Sequence, residues 1–124
     1  MIKIKHIRTL VTESHFVFQF GENEPNISGP AHLTGRVGLP DNIKSGGIVK
    51  CEVALSFGNE DDPFNISLKT ISSFRILEID NDDFSEDAFS DYCFNEGVKQ
   101  LRTKAEKLIH IHTGEKVILP LDMQ

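Results

Sequence analysis

The hydrophobic positions of this chain keep one period over roughly the first two-thirds of its length and another thereafter. Ile2 and Ile4 alternate with Lys3 and Lys5, and Phe16, Phe18 and Phe20 share one face of "HFVFQF". The breaker-rich stretch "GENEPNISGP" then gives way to "AHLTGRVGL", which ends at the loop "PDNIKSGG". In "IVKCEVALSF", Val49, Cys51, Val53, Leu55 and Phe57 fall on one side, with Lys50, Glu52 and Ser56 opposite. The polar turn "GNEDDP" leads into "FNISLKTISSFRILEI", where Phe64, Ile66 and Leu68 share a side. Period-two segments joined by polar turns predict an antiparallel sheet of four or five strands with one covered face.

Further along, Phe94, Val98, Leu101, Ala105, Leu108 and Ile109 recur at three- and four-residue steps, an apolar stripe on one helical face. Lys99, Arg102, Lys104 and Lys107 occupy the rest. The spacing predicts one long helix within Asp91 to His112. Asp91 near its start and lysines toward its end suit the helix dipole, and Gly114 is placed to end it. Gly97 weakens the first turns by about 1 kcal/mol relative to alanine and threatens to split the helix. Strands followed by a helix give an α+β fold with the helix lying on one sheet face.

Composition narrows the classes. A chain of 124 residues is read as one domain, 1–124, able to bury about two-thirds of its unfolded surface. No window approaches the ~18 apolar residues of a membrane span. "MIKIKHIRTL" lacks the apolar centre of a signal peptide, so a cytoplasmic protein without membrane insertion is expected. Cys51 and Cys93, the two thiols, are too few for a disulfide scaffold and fit a reducing compartment. A net charge of -6 argues against a nucleic-acid partner, whose binding rests on many Lys and Arg contacts to phosphate.

Candidate chemistry is thin. His110 and His112 are two apart, which on a helix does not bring them to one side, and no further ligand has metal spacing nearby. The run Asp80-Asn81-Asp82-Asp83-Phe84-Ser85 resembles a calcium loop only in its acids. Phe84 stands at the fifth ligand position and Ser85 in place of the required glycine, so an acidic connection toward the helix is the better reading. Cys93, near the helix start, has no base or oxyanion donors in its sequence neighbourhood. No phosphate-binding glycine loop is present. No enzyme, no metal and no cofactor is expected.

The nine phenylalanines, against one tyrosine and no tryptophan, are the remaining oddity. A sheet covered by one helix has little room for all of them, so a subunit interface or an apolar groove should take a share.

Three local patterns, "VKCEVALSFGNEDDPFNISLKTISSFRI", "DYCFNEGVKQLR" and "HTGEKVILPL", together with their order, resemble the SecB family of protein-export chaperones. In the second, Tyr92, Cys93, Asn95 and Arg102 fall where that family opens its long helix. The third looks like its glycine turn and proline-containing segment. The resemblance implies an ATP-independent chaperone that holds unfolded or nascent polypeptides, assembled as a homotetramer, a dimer of dimers. The family's export members continue into a second helix that borders the client groove, whereas this sequence ends at Gln124. A divergent, shortened member fits, of the kind paired with toxin–antitoxin systems or carried by a phage or mobile element, with contact to the export motor left open. The alternative is a dedicated interaction module for one partner, such as an antitoxin tail.

On this reading Phe16, Phe18, Phe20, Phe57, Phe64, Phe84 and Phe89 form discontinuous client-binding strips, rimmed by Asp82, Asp83, Glu86 and Asp87. The helix stripe of Phe94, Val98, Leu101, Ala105 and Leu108 is shared between its own sheet and the oligomer interface.

Overall fold

A computed structural model describes residues 2–18, 31–58, 64–79 and 85–114. They form strands β1 (Lys3–Phe18), β2 (Ala31–Gly38), β3 (Ile48–Phe57) and β4 (Phe64–Glu78), then helix α1 (Glu86–Thr113). The sheet order is β1-β4-β3-β2, with every neighbouring pair antiparallel. The expected α+β architecture of an antiparallel sheet and one long helix is therefore what the chain adopts. β2, β3 and β4 follow one another as a meander, and β1 joins outside β4, so β1 and β2 are the two edges.

β3 carries out the alternation of its sequence to the letter. Val49, Cys51, Val53, Leu55 and Phe57 are all buried. Ile66, Leu68, Phe74 and Ile76 of β4 join them on the same side, and the helix closes this layer with Phe89, Cys93, Val98, Leu101, Ala105 and Ile109. β1 is different. It runs for 16 residues and its pairing with β4 slips between Lys3 and Ile4, between His6 and Arg8, and between Val11 and Glu13. Each slip is a bulge-like irregularity that bends the strand and re-aims its side chains.

The helix begins five residues before the expected Asp91, at Glu86. Ser85 caps it: its backbone is extended and its hydroxyl accepts the Ala88 N–H at 3.3 Å, while Glu86 and Asp87 meet the positive end of the helix dipole. The other end matches expectation. Gly114 takes the left-handed conformation at φ 76 and donates to the His110 carbonyl at 2.8 Å.

Gly97 does not split the helix. A Cβ there would lie 2.5 Å from Cys51 Sγ and 3.2 Å from both Cys51 Cβ and Val53 Cγ2. The glycine lets α1 settle onto β3 at close range. A second glycine does the same for β2: a Cβ on Gly35 would stand 2.8 Å from the Phe94 ring, which covers that strand.

Candidate polypeptide-binding surface

The helix lies chiefly across β3 and β4 and touches β1 little. This placement decides which apolar groups are spent on the protomer's own core.

Among the expected client-binding phenylalanines, Phe57 and Phe89 are fully buried. Phe57 ends the inward face of β3, and Phe89 packs with Val49, Ile76 and Cys93. Neither offers surface to a client. Phe89 was expected in a solvated connection, but the early capping at Ser85 puts it on the inner face of the first helical turn. Glu86 and Asp87, expected as a carboxylate rim, serve that same turn.

Phe16 is half-buried against the core, its ring centroid 5.7 Å from that of His112. Phe18 and Phe64 are described only through their backbone pairing, each opposite the other across β1 and β4. Phe20, Phe84, Asp82 and Asp83 lie outside the described residues.

The helix stripe also belongs to the protomer. Val98, Leu101 and Ala105 are buried between α1 and its own sheet, with Phe94 and Leu108 half-buried against the same cluster. The side chains of the first three are thus taken up by the chain's own sheet, the inner part of the shared role expected for the stripe.

The exposed apolar surface lies elsewhere, and it is chiefly aliphatic. Ile7, Leu10 and Val11 of β1 are 46%, 46% and 40% exposed. Val11 lies on the helix side opposite Thr70, and Leu10 on the far side opposite Ile71. Both faces of one strand thus carry accessible branched side chains, and its outer edge is unpaired among the described residues. Ile48 and Leu77 on the far side, with Tyr92 and Ile111 on the helix, are the other exposed large hydrophobics among the described residues. The signal for β1 was present in "HIRTLV", where Ile7, Leu10 and Val11 break strict alternation. Apolar residues falling on both faces of a strand are what a bulged edge produces.

Polar groups follow β1 on the helix side. The hydroxyls of Thr9 and Ser72 are hydrogen-bonded at 2.8 Å, and Thr9 also meets His6 Nε2 at 2.7 Å. Nearby, Thr70 Oγ1 is buried with no hydrogen-bond partner among the described residues. The two thiols are buried and unpaired. Desolvation raises the Cys51 pKa to about 11, with Glu52 adding repulsion. Desolvation likewise raises that of Cys93 to about 12, with smaller contributions from Cys51 and Glu96. Such thiols are packing groups, since their nucleophilic thiolate forms are strongly disfavoured. No group of three metal-capable side chains is found among the described residues, and no helix of the structure is long and apolar enough to cross a membrane.

No protein-family model matches this chain, and no curated protein matches it. Solved structures do. A protein of unknown function from Streptococcus agalactiae aligns with a TM-score of 0.58 at 13% identity, over 98% of this chain and 99% of that one. A SecB-like chaperone of Mycobacterium tuberculosis, solved in complex with a ChAD peptide from the HigA1 antitoxin, aligns with a TM-score of 0.59 at 12% identity. That alignment covers 96% of this chain and 89% of the mycobacterial one. At such identities the likeness bears on architecture. Alignment over nearly the whole of this chain in both cases, at TM-scores of 0.58 and 0.59, gives the chain a SecB-like fold.

Proposed function

We propose that this protein is a non-enzymatic, ATP-independent binder of unfolded or nascent polypeptides, a holding chaperone acting as a homo-oligomer. The observation that carries the reading is β1, a long edge strand with Ile7, Leu10 and Val11 accessible on its two faces. The fold is shared with a SecB-like chaperone that was solved holding an antitoxin peptide, which supports a polypeptide as the ligand here.

The two properties of β1 divide the work. Its outer edge has no strand partner among the described residues and so invites pairing with another strand, and closed symmetric assembly hides such edges. A dimer of dimers built in this way leaves the side chains on both strand faces available. Completing the burial of a half-exposed Ile, Leu or Val contributes about 1 kcal/mol, so three such residues give about 3 kcal/mol gross. That is well short of the ~8 kcal/mol of a micromolar complex, and repeated sites on an oligomer make up the difference through effective concentration. Weak, sequence-tolerant contact is the behaviour a holding chaperone requires.

The mycobacterial complex also favours a narrower reading, a module dedicated to one partner such as an antitoxin tail. One experiment separates them: aggregation of several unrelated clients, followed by light scattering with and without the protein, alongside native mass spectrometry. Suppression across clients by an assembly larger than the 13.9 kDa protomer is the expected result. Suppression of none, or a protein that stays monomeric at micromolar concentration, overturns the holding-chaperone reading.

A further inference from the structure

The sheet face turned away from α1 carries a charge distribution opposite to that of the chain. Lys5 of β1 stands directly opposite Arg75 of β4, and the next row along places Arg8 and Lys50 on either side of Ser73. All four cations are exposed. Like charges directly opposite across strands are destabilising. The same face treats its other cations differently: Arg36 is paired with Glu52, and Lys69 with Glu13 at 3.3 Å. With both acids engaged, Lys5, Arg8, Lys50 and Arg75 make no ion pair among the described residues. A chain of net charge -6, with 19 acidic residues, has nonetheless gathered four unneutralised cations across three adjacent strands.

Two exposed aliphatics flank this cluster on the same face. Ile48 is the direct neighbour of Arg75 on β3 and Leu77 follows two residues along β4, at 38% and 44% exposure. Toward β2 the surface dips into a shallow trough of about 510 Å³ that Lys50 shares with Ile71 and the Arg36–Glu52 pair.

We infer that this face docks an acidic, partly aliphatic polypeptide segment in extended conformation. Rows on a strand repeat every ~6.6–6.8 Å, and an extended peptide presents its side chains on one side at that same interval. Carboxylates at two successive same-side positions therefore meet the two cationic rows, with aliphatic residues beyond them reaching Leu77 at one end and Ile71 at the other. The aliphatic flanks select a peptide over a nucleic acid, whose sugar-phosphate backbone gains nothing from them. The chain's overall negative charge further disfavours a long polyanion, while contacts within a Debye length of about 8 Å remain attractive. The surface meets the far face of β1 invoked above at Lys5 and Arg8 and adjoins it where Ile71 stands opposite Leu10, but it rests on the cationic rows and does not depend on the chaperone reading.

The test uses the full chain and a rhodamine-labelled, end-blocked ten-residue peptide with glutamates at two successive alternate positions, leucines flanking them and serines between. Fluorescence anisotropy is compared with the same peptide carrying lysines for glutamates, and with a ten-residue oligothymidine. The expected result is binding of the glutamate peptide at least tenfold tighter than of either control, weakening steeply between 0.05 and 0.5 M salt. The Lys50→Glu/Arg75→Glu variant should lose that preference at least tenfold, and Lys5→Glu alone should lower it, with melting temperatures not reduced in either. Equal binding of the lysine peptide, or a preference unchanged in both variants, overturns the proposal. Oligothymidine binding as tightly as the glutamate peptide also overturns it, in favour of a phosphate-binding face.

Discussion

Replacing Gly97 by alanine sets two effects of opposite sign against each other. Glycine to alanine inside an exposed helix stabilises by about 1 kcal/mol, because the unfolded chain loses freedom and the helix gains a better former. At position 97 the added Cβ would stand 2.5 Å from Cys51 Sγ and 3.2 Å from Val53 Cγ2. Both neighbours sit on a central strand with no exposed side chain surface to retreat into. Overpacking of this kind costs about 1–3 kcal/mol, so packing outweighs propensity and the net expectation is a loss of about 1 kcal/mol. For a domain of this size that corresponds to a melting temperature lower by about 3–5 °C.

Urea unfolding followed by circular dichroism at fixed protomer concentration measures it, since assembly would otherwise shift the midpoint. The double variant Gly97→Ala/Cys51→Ala carries the sharper information. Truncating Cys51 removes the closest clashing atom, so the two changes should couple by about 1 kcal/mol or more, the double variant being less damaged than the singles add up to. A Gly97→Ala protein that is more stable by the full propensity term would refute the close-approach argument outright.

Three further expectations follow from buried groups and surface charge. Replacing Thr70 by valine removes a buried hydroxyl that has no hydrogen-bond partner among the described residues, and stability should rise by about 1 kcal/mol in urea unfolding; a loss would mean the hydroxyl is satisfied. With pKa values raised to about 11 and about 12 from 9.0, Cys51 and Cys93 stay protonated in the folded state while the unfolded thiols ionise. Their contribution is therefore intact below pH 9 and lost as pH climbs from there toward 11 and 12; the Cys51→Ala/Cys93→Ala variant should show a flatter decline over that window. Arg75→Glu exchanges a cross-strand repulsion with Lys5 for an attraction and should stabilise by about 0.5 kcal/mol at low salt, an increment that vanishes in 1 M salt.

The parts of the fold that were legible in the sequence are those where one element meets one neighbour. β3 is covered on one face by a single helix, so period-two alternation and burial coincide from Val49 to Phe57. The helical stripe from Val98 to Ile109 was legible for the same reason. The helix start was not, because its cap is a lone Ser85 hydroxyl without the acidic residue three positions later that completes a capping box; Ala88 stands there. Gly97 was misread because its role is tertiary, fixed by Cys51 nearly fifty residues away in sequence. The phenylalanines misled for a related reason: Phe is also an efficient core filler, and Phe57, Phe74 and Phe89 are all spent that way. The cationic rows could not be read at all, since Lys5, Lys50 and Arg75 become neighbours only through the register of β1, β4 and β3.

Phe57, Phe74 and Phe89 are buried with the aliphatic core, while Ile7, Leu10 and Val11 of the bulged edge strand stay accessible. An edge that is long, flat and apolar would template aggregation, and bulges together with charge are the usual protection. β1 has both: pairing irregularities after Lys3, His6 and Val11, and the charged side chains of Lys3, Lys5, Arg8 and Glu13 between its apolar ones. It is thus kept from stacking indiscriminately without losing its exposed Ile7, Leu10 and Val11. Because those three contribute little to the buried core, their replacement should have a small effect on folding. If β1 carries the proposed binding, its side chains can change what is held while the core residues stay as they are.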